Sequence, residues 1–443
     1  MFSLLVELSS RSSSPNNQLP DSLMLNVLKQ LTADARLLFA TRFIRLFAYG
    51  SLSVVLVFYL VGIGLSERQT GMLLTLTLAG DTIISLLLTT QADRIGRRTM
   101  LVVGGALMIA AGLVFAATRN FWLLLLAGII GVVSPSGNEV GPFLSIEQAA
   151  LSDIVRDRER TEVFAWYTLA GSLATALGAL AGGAATRLLQ QLGLAPVGSY
   201  RGVVLLYAAL GGTLIVLFSR LSSASEATGD FAKKPSHATF ADWSGLTRSR
   251  GVVAKLSALF ALDAFGGGFV IQSFAAYWFY LRYGVKPETL GGIFFLANIL
   301  AGLSALFASR LASRIGLIKT MVATHLPSNV LLILVPLMPN LPLAVLMLLI
   351  RFSISQMDVP TRQSYTMAVV SPDERSAAAG ITGVARTTGA AVSPLFVGLM
   401  FATPALINLP FYLAGTLKIV YDLLLYRAFV SVRPPEERLS NPV

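Results

Sequence analysis

Again and again along this 443-residue chain, about twenty consecutive residues pass with hardly a charge. An α-helix needs about 20 apolar residues to cross the hydrocarbon core of a bilayer, where each backbone group must find its hydrogen bond within the protein. Twelve such stretches can be marked, near 37–63, 69–91, 99–118, 121–150, 162–187, 200–220, 251–282, 288–310, 316–338, 341–366, 375–402 and 406–430. The signal is continuous rather than alternating over ten-residue segments, which excludes a membrane β-barrel. The expected fold is an all-α membrane protein of twelve transmembrane helices. An even number of spans places both termini on one side.

Only 13% of the residues are charged and 54% are hydrophobic, whereas a soluble globular protein carries roughly 25% charged residues. A net charge of +11 would suggest nucleic acid in a soluble chain. Here it follows from an excess of Lys and Arg in the loops of one face, and no nucleic-acid partner is expected. Those loops hold Arg94, Arg97, Arg98, Arg156, Arg158, Arg160, Lys233, Lys234, Arg248, Arg250, Arg310, Arg314, Lys319 and Arg375. The opposite loops hold Arg68, Arg119, Arg187, Arg201, Arg282 and Lys286. The positive-inside rule then puts both termini and the central linker in the cytoplasm. The expected setting is a multi-pass protein of a bacterial cytoplasmic (inner) membrane.

Cysteine is absent, and histidine occurs only at His237 and His325. Disulfides, thiolate metal sites, cysteine nucleophiles and most Ser–His chemistry are thereby removed. No G-x-x-x-x-G-K-[ST] phosphate loop is present, which argues against an ATPase. Neither an enzyme, a cofactor nor a metal is expected.

The loop Ala92-Asp93-Arg94-Ile95-Gly96-Arg97-Arg98-Thr99-Met100 has a partner about 220 residues later, Ala312-Ser313-Arg314-Ile315-Gly316-Leu317-Ile318-Lys319-Thr320-Met321. At the same shift Gly64, Leu65 and Gly71 meet Gly284, Val285 and Gly291, and at a shift of 215 Gln148, Glu159 and Arg160 meet Gln363, Glu374 and Arg375. A near-constant shift of half the chain indicates a duplicated bundle. The expected organisation is a cytoplasmic leader (1–35), a six-helix bundle (36–220), a cytoplasmic linker (221–250), a second six-helix bundle (251–430) and a tail (431–443).

With six-span halves and the loop Asp93-Arg94-Ile95-Gly96-Arg97-Arg98 between spans 2 and 3, the chain resembles the major facilitator superfamily over about residues 35–430. The usual leading glycine of that loop is Thr89 here, and the second copy has Ser313 in place of the acid and lacks the double arginine. The resemblance implies two pseudo-symmetric bundles around a central cavity lined by spans 1, 4, 7 and 10. It also implies that Asp93 lies near the start of span 11, where free amides and Arg375 favour an anion. Arg94, Gly96, Arg97 and Arg98 would complete a latch between the halves. In span 5, Gly178-Ala179-Leu180-Ala181-Gly182-Gly183 looks like the glycine motif of drug antiporters with its proline replaced by Ala179; close helix packing through small residues explains it equally simply.

Ionisable side chains at mid-membrane depth are costly, so they are candidates for function. Arg45, Glu139, Asp263, Arg351 and Asp358 fall in the spans that line the cavity in the family, and become the substrate and proton candidates. Glu139 sits inside Ser134-Pro135-Ser136-Gly137-Asn138-Glu139-Val140-Gly141-Pro142, a broken stretch tolerable mainly beside a cavity. It is the candidate proton carrier, a structural glutamate bonded to arginine being the alternative. Asp81 lies eleven residues before Ala92 and Arg386 eleven after Arg375, so the two share a depth. An ion pair across the halves is expected, with Asp81 bonded inside its own half as the alternative. Gly266-Gly267-Gly268 in span 7 reads as hinge or packing surface, and Phe274, Tyr277, Trp278, Phe279 and Tyr280 as mostly an interfacial aromatic belt.

These features point to a monomeric secondary transporter that moves a small organic solute by alternating access, proton-coupled export being the leading expectation. Proton-coupled uptake of a metabolite is the alternative, together with a sensor or scaffold derived from a carrier.

Overall fold

The computed structural model describes residues 31–139, 141–156, 160–226, 246, 248–371 and 374–432, and the side chains of Asp93, Arg160, Thr161, Glu162 and Ser376 are not among those described. The leader to residue 30 lies outside the described residues, as do Arg158, Glu159, Lys233, Lys234, Pro235 and His237. Fifteen α-helices make up the described fold: α1 (Ala33–Gly62), α2 (Glu67–Ile95), α3 (Arg97–Ala117), α4 (Phe121–Ile130), α5 (Phe143–Ile154), α6 (Arg160–Gln191), α7 (Pro196–Phe218), α8 (Arg250–Gly268), α9 (Gln272–Tyr283), α10 (Pro287–Ile315), α11 (Leu317–Leu334), α12 (Leu341–Phe352), α13 (Asp358–Val369), α14 (Arg375–Phe401) and α15 (Leu409–Phe429).

Ten of the described helical stretches are long and apolar enough to cross a bilayer, α8 and α9 counting as one, and two shorter apolar helices, α4 and α12, stand beside them. Those two are the first halves of spans 4 and 10, continued by α5 and α13. The twelve-span, two-bundle expectation is therefore met, with spans 4, 7 and 10 each broken.

Local sequence sets the boundaries. Ser66 accepts from the Gln69 amide while Gln69 reaches back, a capping box that starts α2. Asn120 and Asn340 accept from amides of the first turns of α4 and α12. The turn between spans 2 and 3 runs through Gly96 at φ 113°, and its counterpart between spans 8 and 9 through Gly316 at φ 87°. Side chains are strained there, so glycine is what permits the tight basic loop. Gly64 and Gly284, the other pair related by the repeat, are likewise at positive φ.

Glycines also decide how the spans approach. A Cβ on Gly178 would stand 2.1 Å from the Phe47 carbonyl oxygen, and one on Gly182 would stand 2.4 Å from that of Ser51. The glycine stretch of span 5 is thus a packing surface against span 1. Between the halves, Gly71 of α2 lies against Gly398 of α14, a Cβ on Gly71 falling 2.5 Å from the Pro394 oxygen. Gly183 of α6 lies against Gly291 of α10, a Cβ on Gly183 falling 2.7 Å from the Pro287 oxygen. The two contacts are equivalent under the 220- and 215-residue shifts of the sequence repeat.

Near these contacts the aromatic end of span 7 closes the gap between lobes. Tyr277 and Tyr280 pack at 5.5 and 5.3 Å from Phe58, the Tyr277 hydroxyl donates to Glu67 at 3.2 Å, and Gln272 donates to Ser53 at 2.8 Å. Phe274, Tyr277, Trp278 and Phe279 are buried, and Tyr280 is exposed. The expected aromatic belt is corrected accordingly: Tyr277 and Tyr280 pack across the lobes, while Phe274 and Trp278 pack inside their own lobe on Phe401 and Phe411. Farther along α14, a Cβ on Gly380 or Gly383 would meet nothing within 4 Å. The lobes meet at the end carrying Gly64 and Gly284 and still touch at mid-height, where a Cβ on Gly302 of α10 would fall 3.0 Å from Ser172 of α6.

Candidate functional site

Each break in a span has a local cause, and each positions charge. Pro135 and Pro142 lack an amide hydrogen, and Gly137 and Gly141 sit at φ 72° and 81°, so span 4 is irregular from Gly131 to Pro142. Ser134 caps this loop by donating to the Asn138 carbonyl at 2.7 Å. Span 10 opens at residues 353–357, and Pro360 in the first turn of α13 has no amide hydrogen to bond back into that opening. In span 7, Gly268 ends α8 with space for no side chain: a Cβ would fall 2.6 Å from the Ala390 oxygen and 2.8 Å from Ser393. The triple glycine is both the end of a helix and a packing point.

In the N-terminal lobe, Arg45 is fully buried and donates to both oxygens of Glu147 at 2.7 Å each. Its guanidinium also donates to Glu139. Arg42 lies 3.4 Å from Glu139 and over the Tyr167 ring at 4.3 Å. Glu147 further accepts from Thr41 at 2.8 Å and from the Tyr167 hydroxyl. Two arginines thus face two glutamates, with the second oxygen of Glu139 lacking a partner. A buried carboxylate is tolerated when such pairing offsets its desolvation.

In the C-terminal lobe, Asp263 is the shared acceptor. Lys418 donates to its Oδ1 at 2.6 Å and Arg362 to its Oδ2 at 3.3 Å, while Arg386 stands 3.8 Å from Oδ2. Arg362 also holds Asp358 at 2.9 Å. His325 Nε2 lies 3.7 Å from Asp263, and its Nδ1 is 2.8 Å from Asp422. Arg351 lies over Phe352 at 5.1 Å, and its Nε has no hydrogen-bond partner.

The five candidates Arg45, Glu139, Asp263, Arg351 and Asp358 therefore fall at buried charge in or beside broken spans, two in one lobe and three in the other. The expected Asp81–Arg386 pair is corrected. Asp81 accepts from Ser85 at 3.4 Å and holds a backbone hydrogen bond with Gly141 in the break of span 4. Arg386 turns to Asp263 within its own lobe, 3.8 Å from Oδ2.

The basic loop makes contacts not foreseen. The Arg97 and Arg98 amides at the start of α3 donate to Glu226 at 2.6 and 3.2 Å, and the Arg97 guanidinium donates to Asp153 at 2.7 Å. Arg98 reaches the Leu221 carbonyl at 3.4 Å, and Arg94 is exposed. Arg375 donates to the Met367 carbonyl at 2.9 Å. A contact between Asp93 and Arg375 lies outside the described residues.

Sequence reasoning missed Arg42, Glu147, Tyr167, His325, Arg362, Lys418 and Asp422. A signal existed in two cases: Asp358 with Arg362, and Lys418 with Asp422, are opposite charges four residues apart on one helix face.

A bundle broken in spans 4, 7 and 10, with lobes related by a repeat, is matched by one family model, that of the Major Facilitator Superfamily, over residues 38–394 and 282–443. The chain belongs to the major facilitator superfamily. An uncharacterized membrane protein of Saccharomyces cerevisiae, YJR124C, is 33% identical over 438 residues, 93% of this chain and 98% of the yeast protein. Among solved superfamily structures, a bacterial homolog of the human lysosomal transporter Spinster, inward-facing and unoccupied, superposes with a TM-score of 0.66 at 18% identity, covering 90% of this chain and 96% of that one. The nucleoside transporter NupG gives 0.68 at 14% identity, over 90% and 99%. The human organic anion transporter MFSD10 gives 0.60 at 16%, over 89% and 100%. These three likenesses show the superfamily fold. The superfamily consists of membrane transporters of small molecules rather than enzymes in general, and this chain is a multi-pass member of it.

Proposed function

We propose that this protein is a proton-coupled secondary transporter that exports a small organic solute by alternating access, working as a monomer. The observation that carries the reading is the placement of two buried ionic clusters, one per lobe, in or beside broken spans. Ionisable groups at that depth are costly and are candidates for function. Both six-helix lobes come from a single chain, which supports a monomer. The halves are taken as residues 36–220 and 251–430, joined by the linker 221–250.

The excess of Lys and Arg in the loops at the end carrying Gly96 and Gly316 supports orienting that end, with the termini, toward the cytoplasm. Likeness to an inward-facing Spinster homolog supports the same orientation. A nearly full-length relative occurs in a yeast, so the proposal concerns orientation to the cytoplasm and not one kind of membrane. That neighbouring folds include nucleoside and organic anion transporters supports a small organic solute.

Glu139 is the proposed proton carrier of the N-terminal lobe, since one of its oxygens has no partner and its side chain keeps 14% of its exposure. Counterflow in proteoliposomes, with a labelled solute chosen by thermal-shift screening, is the test. Exchange of labelled for unlabelled solute is expected, and its absence across the panel would favour a sensor or scaffold. Glu139→Gln is expected to lower pH-gradient-driven flux by about a hundredfold or more while counterflow persists, matching the lower end of what one proton-transfer group contributes. The direction of solute movement down an imposed pH gradient separates export from uptake.

A further inference from the structure

Beyond the cavity-lining spans, span 9 carries a buried histidine in contact with two carboxylates. His325 of α11 is 4% exposed. Its Nδ1 lies 2.8 Å from Asp422 Oδ1, and Asn329 donates to Asp422 Oδ2 at 3.0 Å. Asn329 Nδ2 also stands 3.2 Å from that Nδ1; where the neutral ring carries its proton on Nδ1, Asp422 accepts it. The lone pair of Nε2 then faces Asp263 Oδ1, 3.7 Å away. Two acceptors facing one another at that distance leave room for a proton between them.

We propose that His325 is a proton-binding site of the C-terminal lobe, and that its proton is felt in the cavity through Asp263 and Arg386. This rests on the carrier reading above and adds the group that takes the proton in the second lobe. On protonation, Nε2–H becomes a charge-assisted donor toward Asp263 Oδ1, the oxygen that Lys418 now holds at 2.6 Å. Lys418 and His325 then compete for one oxygen. Arg362 lies 3.3 Å and Arg386 3.8 Å from the other.

The charges around His325 show which member yields. Span 12 offers Lys418, Tyr421 and Asp422, span 7 Asp263, span 10 Arg351, Asp358 and Arg362, and span 11 Arg386; Arg310 and Arg314 of the adjoining span 8 are exposed. Four fixed cations already outnumber three carboxylates, so one further positive charge must be offset locally. Of the three cations paired with Asp263, Arg386 is the least held: its side chain is 34% exposed, and its Nη1 has no hydrogen-bond partner. Proton uptake at His325 therefore loosens Arg386 from Asp263. A cationic solute would then be disfavoured by the proton and an anionic one favoured.

Two features of the chain make the test direct. It has two histidines and no cysteine. In full-length protein carrying His237→Gln, ¹⁵N-histidine NMR reads His325 alone. The expected result is conversion from a neutral ring to imidazolium as the pH is lowered. Cysteines at Thr99 and Lys319, equivalent positions in the two lobes, accept spin labels whose separation reports the opening. That separation is expected to shift with pH alongside the NMR transition, and to lose its pH dependence in His325→Gln. A His325 signal unchanged as the pH is lowered would overturn the proposal, and the NMR experiment needs no substitution at 325. So would a pH-dependent opening that persists in His325→Gln, although the carrier reading would then stand. A label separation fixed at every pH, with counterflow also absent, would remove the carrier reading itself.

Discussion

In the N-terminal lobe two arginines and two glutamates close on one another, and Arg45 is enclosed on all sides. In the C-terminal lobe one carboxylate, Asp263, is shared among Lys418, Arg362 and Arg386, with His325 close by. The first arrangement pairs both oxygens of Glu147 with Arg45 and leaves one oxygen of Glu139 open. The second has more donors than its central acceptor can serve at short range, so its contacts lengthen from 2.6 to 3.8 Å. A duplicated fold has thus kept the same depth for buried charge in both halves while giving one half a closely paired cluster and the other a set of competing partners.

Substitutions that remove one member at a time should separate the two lobes. The largest effect is expected for Arg45→Leu, which strands Glu147 in a dry interior and should cost about 3–5 kcal/mol; chemical unfolding in detergent measures it. The double replacement of Arg45 and Glu147 by leucine should recover much of that loss, and no recovery would mean the pair is not what holds the lobe. Next come Gly71→Ala and Gly183→Ala, each placing a methyl against backbone at the meeting of the lobes. Overpacking of this kind costs about 1–3 kcal/mol, and equivalent sites should lose similar amounts in the same assay. Arg386→Gln should change stability by about 1 kcal/mol or less, as for a partly solvated pair. Its transport rate should nevertheless fall well below that of the parent protein in the counterflow assay. Smallest is Asp153→Ala, which removes a half-exposed partner of Arg97 and should cost about 0–1 kcal/mol, less at high salt.

The twelve spans and the doubled bundle were legible because hydrophobic length leaves few alternatives once lipid is the solvent. The break of span 4 was legible from Pro135, Gly137, Gly141 and Pro142. The break of span 10 was not foreseen, because its apolar run continues up to Arg351 and a single Pro360 marks the interruption. Counting residues along a helix gives depth but neither rotation nor the distance between lobes. That is why Asp81 and Arg386 could be matched in height and yet bond to different partners. His325, Lys418 and Asp422 were overlooked because spans 9 and 12 do not line the cavity in the family. Their side chains reach inward to Asp263, a connection that only three-dimensional packing reveals.

The paired glycine contacts, Gly71 on Gly398 and Gly183 on Gly291, flank the closed end like the two bearings of an axle. From Gly398 to Gly380 the helix runs 18 residues, a lever of about 27 Å. A roll of about 10° at the bearings would sweep the far tip by about 5 Å at that length. Bare backbone meets bare backbone at those four glycines, while Tyr277 on Glu67 and Gln272 on Ser53 tie the same end together, so any such roll must carry these side chains with it.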